Sequence, residues 1–221
     1  MQVNRSTLAD AAAEGIRQMI LNGDLAVASP LRQEELAAQL GVSRTPLREA
    51  IAKLATEGLV VADSHRGAVV AKPSLDELRE TYEIREALEV LAGRLAAELS
   101  TPEDIVALDG VLALFTDVTD TAAWAELNTR FHMEMYAISG RKQLFKLIST
   151  MRNRTELFVR MLVSSPERLE QAHQDHVRIL AALEARDPDA TEAEIRAHLS
   201  TTVASVTDDK EIELNRAVGT S

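Results

Sequence analysis

The 221-residue chain contains no cysteine, no apolar run near the length of a membrane span, and no charged-then-apolar leader of the secretory kind. The first absence removes disulfides, thiolate metal sites and cysteine nucleophiles together. It leaves His, Asp, Glu, Asn and Gln as the only side chains for a metal. The other two leave the cytoplasm as the expected compartment. There is also no internal repeat and no low-complexity segment. With 46% hydrophobic and 27% charged residues the chain should fold as a soluble globular protein of one large or two small domains.

A net charge of −11 argues against nucleic-acid binding when spread over the whole chain. It is not spread. Residues 1–73 hold eight Lys/Arg and eight Asp/Glu, so they are neutral, and the remainder carries the whole excess.

The periodicity changes at the same place. Thr7 to Leu21 predicts an amphipathic helix stopping at Asn22-Gly23. Gln33 to Leu40 predicts a short helix closed by Gly41. A second runs from a Ser43 cap to Glu57, with Pro46 in its first turn, where a missing N–H costs nothing. "LVVADSHRGAVVA" then reads as two β-branched runs about a turn, a hairpin. Beyond Pro73, where Ser74 and Glu77 form a capping box, no strand is expected. Helices are predicted at about 75–99, 102–117, 121–138, 141–163, 166–185 and 188–215, with the last five or six residues frayed. Short connections imply antiparallel neighbours and an all-helical bundle.

Two helices joined across "QLGVSRTPLREAI" have the layout of a helix-turn-helix, and the hairpin after them would be its wing. Leu47, Ile51 and Leu54 supply the packing face of the second helix. Ser43, Arg44, Thr45 and Arg48 lie exposed at its N-terminal end, the end that enters a major groove. An arginine there can donate two hydrogen bonds to guanine. The plainer reading is a three-helix domain with ordinary solvated arginines.

The stretch "GDLAVASPLRQEELAAQLGVSRTPLREAIAKLATEGLVVADSHRGAVV" resembles the winged helix-turn-helix of GntR-type bacterial transcription regulators along its whole length. The resemblance implies dimeric binding to double-stranded operator DNA. It places Arg44, Thr45 and Arg48 at the major groove, and His65, Arg66 and Gly67 at the minor groove. Arg32 becomes a weaker candidate for a phosphate contact. Some relatives carry a second basic residue where this chain has Glu34, which puts that further contact in doubt. Glu34, Glu35 and Glu49 are expected to face away from DNA.

Four of the five histidines fall in the second part. His132, His176 and His198 come from three separate helices and each borders an apolar stripe; Asn128 lies one turn before His132. A hydrogen-bonded Asn/His pair explains the first two alone. Three imidazoles on core-facing stripes with no shared partner would be an expensive core. One divalent metal would satisfy all three, with the Asn128 amide as a fourth donor; zinc, nickel, iron, cobalt and manganese all suit such a set. From spacing alone the metal site and three separately satisfied histidines stand level. His173 makes one Glu-x-x-His with Glu170, where a di-iron site needs two copies, so it is expected to be exposed or behind the ligands.

"DELRETYEIREALEVLAGRLAA", "NTRFHMEMYAISG", "HVRILAALEARD" and "IRAHL" resemble, in that order, the FCD effector domain of the FadR-type branch of the same family. That resemblance implies a bundle of six or seven helices and carries the metal-ligand roles to Asn128, His132, His176 and His198, with one divalent metal per chain and zinc first among the options. Many relatives have Asp where Asn128 stands, so this site should hold its metal more weakly. It also implies a small carboxylate effector (a hydroxy-, keto- or sugar acid), for which Arg85 is the first candidate partner. Tyr82, Arg130, Arg152, Arg154 and Arg160 follow. The expectation is therefore a mainly α protein: a winged helix-turn-helix of three helices plus a β-hairpin over 1–73, then an all-α antiparallel bundle over 74–221. It would act as a ligand-responsive regulator, most often a repressor in this family. A metal-dependent hydrolase or lyase fused to a winged domain is the competing reading. It lacks a general base, since Glu134 and Asp175 are merely near the ligands in sequence.

Overall fold

A computed structural model describes residues 7–63, 66–71, 75–118, 120–162 and 166–218; side chains are not described at 75, 117, 121, 156–162, 166 and beyond 204. His65, Pro73, Ser74 and its expected cap therefore lie outside the described residues, as does the Arg160 side chain. The chain forms two compact units, Met1–Ser74 and Leu75–Ser221. Among the described residues there are nine α-helices and one two-stranded hairpin, the mainly α architecture expected.

In the first unit α1 (Leu8–Leu21) starts with a reciprocal cap, Thr7 and Asp10 each bonding the other's backbone N–H. α2 (Gln33–Leu40) ends at Gly41, whose φ of 66° makes the sharp turn that a residue with a Cβ resists. α3 (Arg44–Thr56) follows directly. Its buried Leu47, Ala50, Ile51 and Leu54 pack with Ile16 and Ile20 of α1 and Leu36 of α2. Ser43 occupies the cap position of α3, but its hydroxyl makes no capping bond and stays exposed. β1 (Val60–Asp63) and β2 (Gly67–Val70) pair antiparallel in the register Val60↔Val70 to Asp63↔Gly67, and Pro30 bridges to Val69 on the outer side.

The second unit holds six helices: α4 (Leu75–Leu99), α5 (Pro102–Ala113), α6 (Thr121–Ala137), α7 (Lys142–Leu162), α8 (Pro166–Glu184) and α9 (Pro188–Val218). Two expectations need adjustment. The α-helix expected to reach 117 stops at Ala113 and tightens into a 3-10 turn over Leu114–Asp117, which lets Phe115 into the core. α9 continues helically to Val218, past the point where fraying was expected. α4 is the hub, packed against α6, α7, α8 and α9. Its approach to α9 is close because Gly93 has no side chain: a Cβ there would sit 2.1 Å from Ile195 Cδ1. Phe131, Met135, Ile148, Ile179, Leu183 and Leu199 fill the centre. No described helix is long and apolar enough to cross a membrane.

Candidate metal centre and nucleic-acid interface

α6 sets Asn128, His132 and Tyr136 on one inward stripe at four-residue spacing. α8 contributes His176 and α9 contributes His198 from facing stripes. All four polar groups proposed as ligands are buried: Asn128, His132, His176 and His198 expose less than a tenth of their surface. The three imidazoles converge, each presenting a nitrogen within 4.8 Å of the others. His132 Nε2 and His176 Nε2 are 3.2 Å apart. Two nitrogens each about 2.0–2.1 Å from a common tetrahedral zinc would be separated by a similar distance.

The groups behind the rings assign their protons. Asp175 Oδ2 lies 3.1 Å from His198 Nδ1 and accepts its proton, leaving Nε2 bare. The Tyr136 hydroxyl donates to Glu89 Oε2 at 2.6 Å, so its oxygen is free to accept from His132 Nδ1 at 3.4 Å. That leaves the His132 Nε2 lone pair facing the cluster. His176 is the residue without a satisfactory arrangement, because its buried Nδ1 has no partner among the described residues. A proton on Nε2 leaves that Nδ1 bare and unsolvated; a proton on Nδ1 sets two lone pairs against each other at 3.2 Å. A cation among the Nε2 atoms removes the second conflict. Burial, followed by the charge of Arg152 and of the neighbouring rings, pushes the His132 pKa well below its usual value. Burial, then His198 and Arg152, does the same to His176. Both are neutral at pH 7, the form that binds a metal. The residues present fit a divalent ion.

Beside this cluster lies a buried ion network that sequence reasoning did not assemble. Arg85, 4% exposed, donates from Nε to Glu89 Oε1 at 2.7 Å and from Nη1 to Thr155 Oγ1 at 2.8 Å, with its guanidinium 4.4 Å above the Tyr82 ring. Glu89 is fully buried and also accepts from Arg152 Nη1 at a longer 3.3 Å. Burial opposes the Glu89 charge, but Arg85 and Arg152 outweigh it and hold the carboxyl below its ordinary pKa. Two buried cations therefore share one anion. Arg152 Nε and the Tyr82 hydroxyl, both buried, have no hydrogen-bond partner among the described residues.

The other residues singled out in this unit stand apart. Arg130 is exposed and paired with Glu134 at 2.7 Å, and Arg154 is exposed. His173, expected to be exposed or behind the ligands, is half-buried, its ring 5.5 Å from Phe115 and its Nδ1 without a partner among the described residues. Asp175, which a hydrolase would need as a free base, is committed to His198, Gln171 and Arg178.

In the first unit Ser43, Arg44, Thr45 and Arg48 are exposed at the start of α3, and Arg66 and Gly67 at the start of β2. Arg66 is held by Asp63 through Nε at 3.1 Å and Nη2 at 2.9 Å. Arg32 pairs with Glu35 at 3.1 Å. Glu34 reaches across from α2 to form an ion pair with Arg44.

A winged helix-turn-helix with arginines at its recognition helix, followed by a helical bundle with a buried polar centre, defines the class of two-unit DNA-binding regulators. Comparison with known proteins agrees. Residues 8–70 match the family "Bacterial regulatory proteins, gntR family", and residues 80–201 match the FCD domain. The chain is 31% identical over 201 residues to the "Probable D-xylose utilization operon transcriptional repressor" of Paenarthrobacter nicotinovorans, covering 90% of this chain and 88% of the relative. It is 30% identical over 197 residues to the HTH-type transcriptional repressor RspR of Escherichia coli K12, covering 86% and 85%. The solved structure of E. coli McbR/YncC shares the fold, with a TM-score of 0.78 at 23% identity over 92% of this chain and 99% of that one. The chain belongs to the GntR family and carries an FCD domain; it is a transcription regulator, not an enzyme.

Proposed function

We propose that this regulator holds one divalent transition metal, zinc first among the options, through Asn128, His132, His176 and His198. A small carboxylate effector binds there and changes affinity for operator DNA. The observation that carries the reading is the convergence of three buried imidazoles, two of them with their protons drawn to the outer nitrogen. The ion supplies a fixed positive charge and open coordination positions for an anion. Asn128 adds an oxygen donor without adding negative charge.

The second anchor for the carboxylate is Arg152 rather than Arg85. Arg85 is fully engaged by Glu89, Thr155 and Tyr82, whereas among the described residues Arg152 has one long bond and a buried, unpartnered Nε. Burying a charge without a full partner is costly, so an arriving carboxylate relieves Arg152 where it would have to displace Glu89 from Arg85. Operator contacts are assigned to Arg32, Ser43, Arg44, Thr45, Arg48, Arg66 and Gly67 in a homodimer. A second copy has an apolar face to use on α4, where Ile84 and Leu91 stand exposed seven residues apart. Effector and DNA are then linked through the two units of one chain, by unequal binding to the DNA-competent and incompetent arrangements.

The test is a thermal-shift screen of zinc-loaded protein with lactate, glycolate, pyruvate and malate. A ligand at about 100 times its Kd adds roughly 2.7 kcal/mol, or about 5–11 °C in a chain of this size. The expected result is a shift for a few of them, lost after chelation and in Arg152→Gln. No shift with any acid, or a shift indifferent to chelation, contradicts the effector reading.

A further inference from the structure

The arginines assigned to DNA differ in their partners in the free protein. Arg32 has Glu35, Arg66 has Asp63 and Arg44 has Glu34, while Arg48 has none among the described residues. These carboxylates do different things. Asp63 is only 24% exposed; it accepts from the Arg66 backbone N–H at 2.9 Å as well as from the guanidinium, and Arg66 Nη1 also reaches Ala28 O. Arg66 is thereby oriented at the wing. Arg32 and Glu35 are neighbours on one helical turn.

The Glu34–Arg44 pair differs from both. It joins two helices, ten residues apart in sequence, with side chains 76% and 79% exposed. Among the described residues no other hydrogen bond or ion pair holds either side chain. It sits where α3 begins, the place at which positive helix dipole and arginine would together draw in any phosphate. We infer that Glu34 is a specificity-determining residue that occupies Arg44 in the free protein, so that Arg44 is available only to a site that replaces the carboxylate with an equally good acceptor.

The physical argument is one of competition. A guanidinium meeting a carboxylate or the O6/N7 edge of guanine makes directed, paired hydrogen bonds. A phosphate on random DNA offers charge and releases counterions, the source of nonspecific affinity. By pairing with Arg44, Glu34 cancels the charge that random DNA needs. It costs the operator complex less, because guanine edges compensate. Arg48, unpaired, keeps contact in both cases. For an acidic regulator facing a large excess of nonspecific DNA, lower background binding raises the ratio of specific to nonspecific affinity.

This inference rests on the DNA-binding reading of Arg44, and its test separates the two. Full-length protein, Glu34→Gln, Arg44→Ala and the double variant are titrated against a fluorescein-labelled random 30-bp duplex between 50 and 200 mM KCl. Fluorescence anisotropy is the readout, with circular dichroism melts as a check on folding. Glu34→Gln should bind random duplex about three- to tenfold tighter, with a salt slope steeper by about one unit, and Arg44→Ala should erase that gain. Equal or weaker binding by Glu34→Gln overturns the inference. A gain that survives in the double variant also overturns it, because Glu34 then repels DNA without acting through Arg44. No salt-dependent binding by any form at 50 mM KCl overturns the DNA-binding reading itself, and the inference with it.

Discussion

Glu89→Gln is the substitution that most severely tests the buried network. The carboxylate is fully buried and is the only anion given to Arg85 and Arg152 among the described residues, and it accepts the Tyr136 hydroxyl as well. The amide keeps the shape and one acceptor oxygen but leaves two guanidinium charges facing each other in a low-dielectric core. Breaking a buried ion pair by removing one partner costs about 3–5 kcal/mol. That is a large share of the roughly 5–15 kcal/mol that keeps a domain folded. At about 2–4 °C per kcal/mol for a chain of this size, it amounts to a drop of roughly 6–20 °C in melting temperature. Differential scanning calorimetry of the full chain measures it. Arg152→Met in the Glu89→Gln background should restore part of the loss, since it removes one of the two stranded charges. A Glu89→Gln protein within about 1 kcal/mol of wild type, or a double variant less stable than the single one by the full cost of Arg152→Met alone, would refute the shared-anion account.

Three further outcomes follow from other parts of the molecule. Asp175→Ala removes the acceptor that fixes His198, and zinc affinity measured by competition with a chromogenic chelator should fall about 10–100-fold; unchanged affinity would mean the carboxylate does not orient the ligand. Gly93→Ala places a methyl group against Ile195 and should cost about 1–3 kcal/mol, read from the urea midpoint, whereas no loss would contradict the close α4–α9 approach. Arg48→Ala should abolish specific operator binding in a gel-shift assay while leaving the fold and metal content intact; retained binding would remove α3 from the recognition role.

The fold class was legible because each half of the chain declares itself locally. Gly41 between two short apolar periods and the β-branched runs about Ser64–Gly67 both act within a few residues. The 3-10 turn after Ala113 was not legible, since what tightens it is the burial of Phe115 among other helices. For the site, spacing alone put Asn128 and His132 on one face and brought His176 and His198 to apolar stripes. The buried charges were different. Arg85 is bonded to Thr155, seventy residues on, and Glu89 to Tyr136 and Arg152, and no local pattern encodes such distances. One local signal did exist. Leu78, Tyr82, Arg85, Glu89, Ala92 and Ala96 recur at four- and three-residue spacing, so the charged pair lies inside the core stripe of α4. The Glu34–Arg44 pair joins two helices across the turn at Gly41, and local spacing carries no signature of it.

If the three buried imidazoles and the Asn128 amide hold a metal, the ion can be counted. Elemental analysis of the protein purified without chelator, beside His132→Ala/His176→Ala, measures it. About one transition-metal ion per chain is expected in the wild type and almost none in the double variant, with zinc restoring the wild type after stripping. A wild-type chain that is metal-free as purified and takes up no zinc, nickel, cobalt, iron or manganese on titration would contradict it.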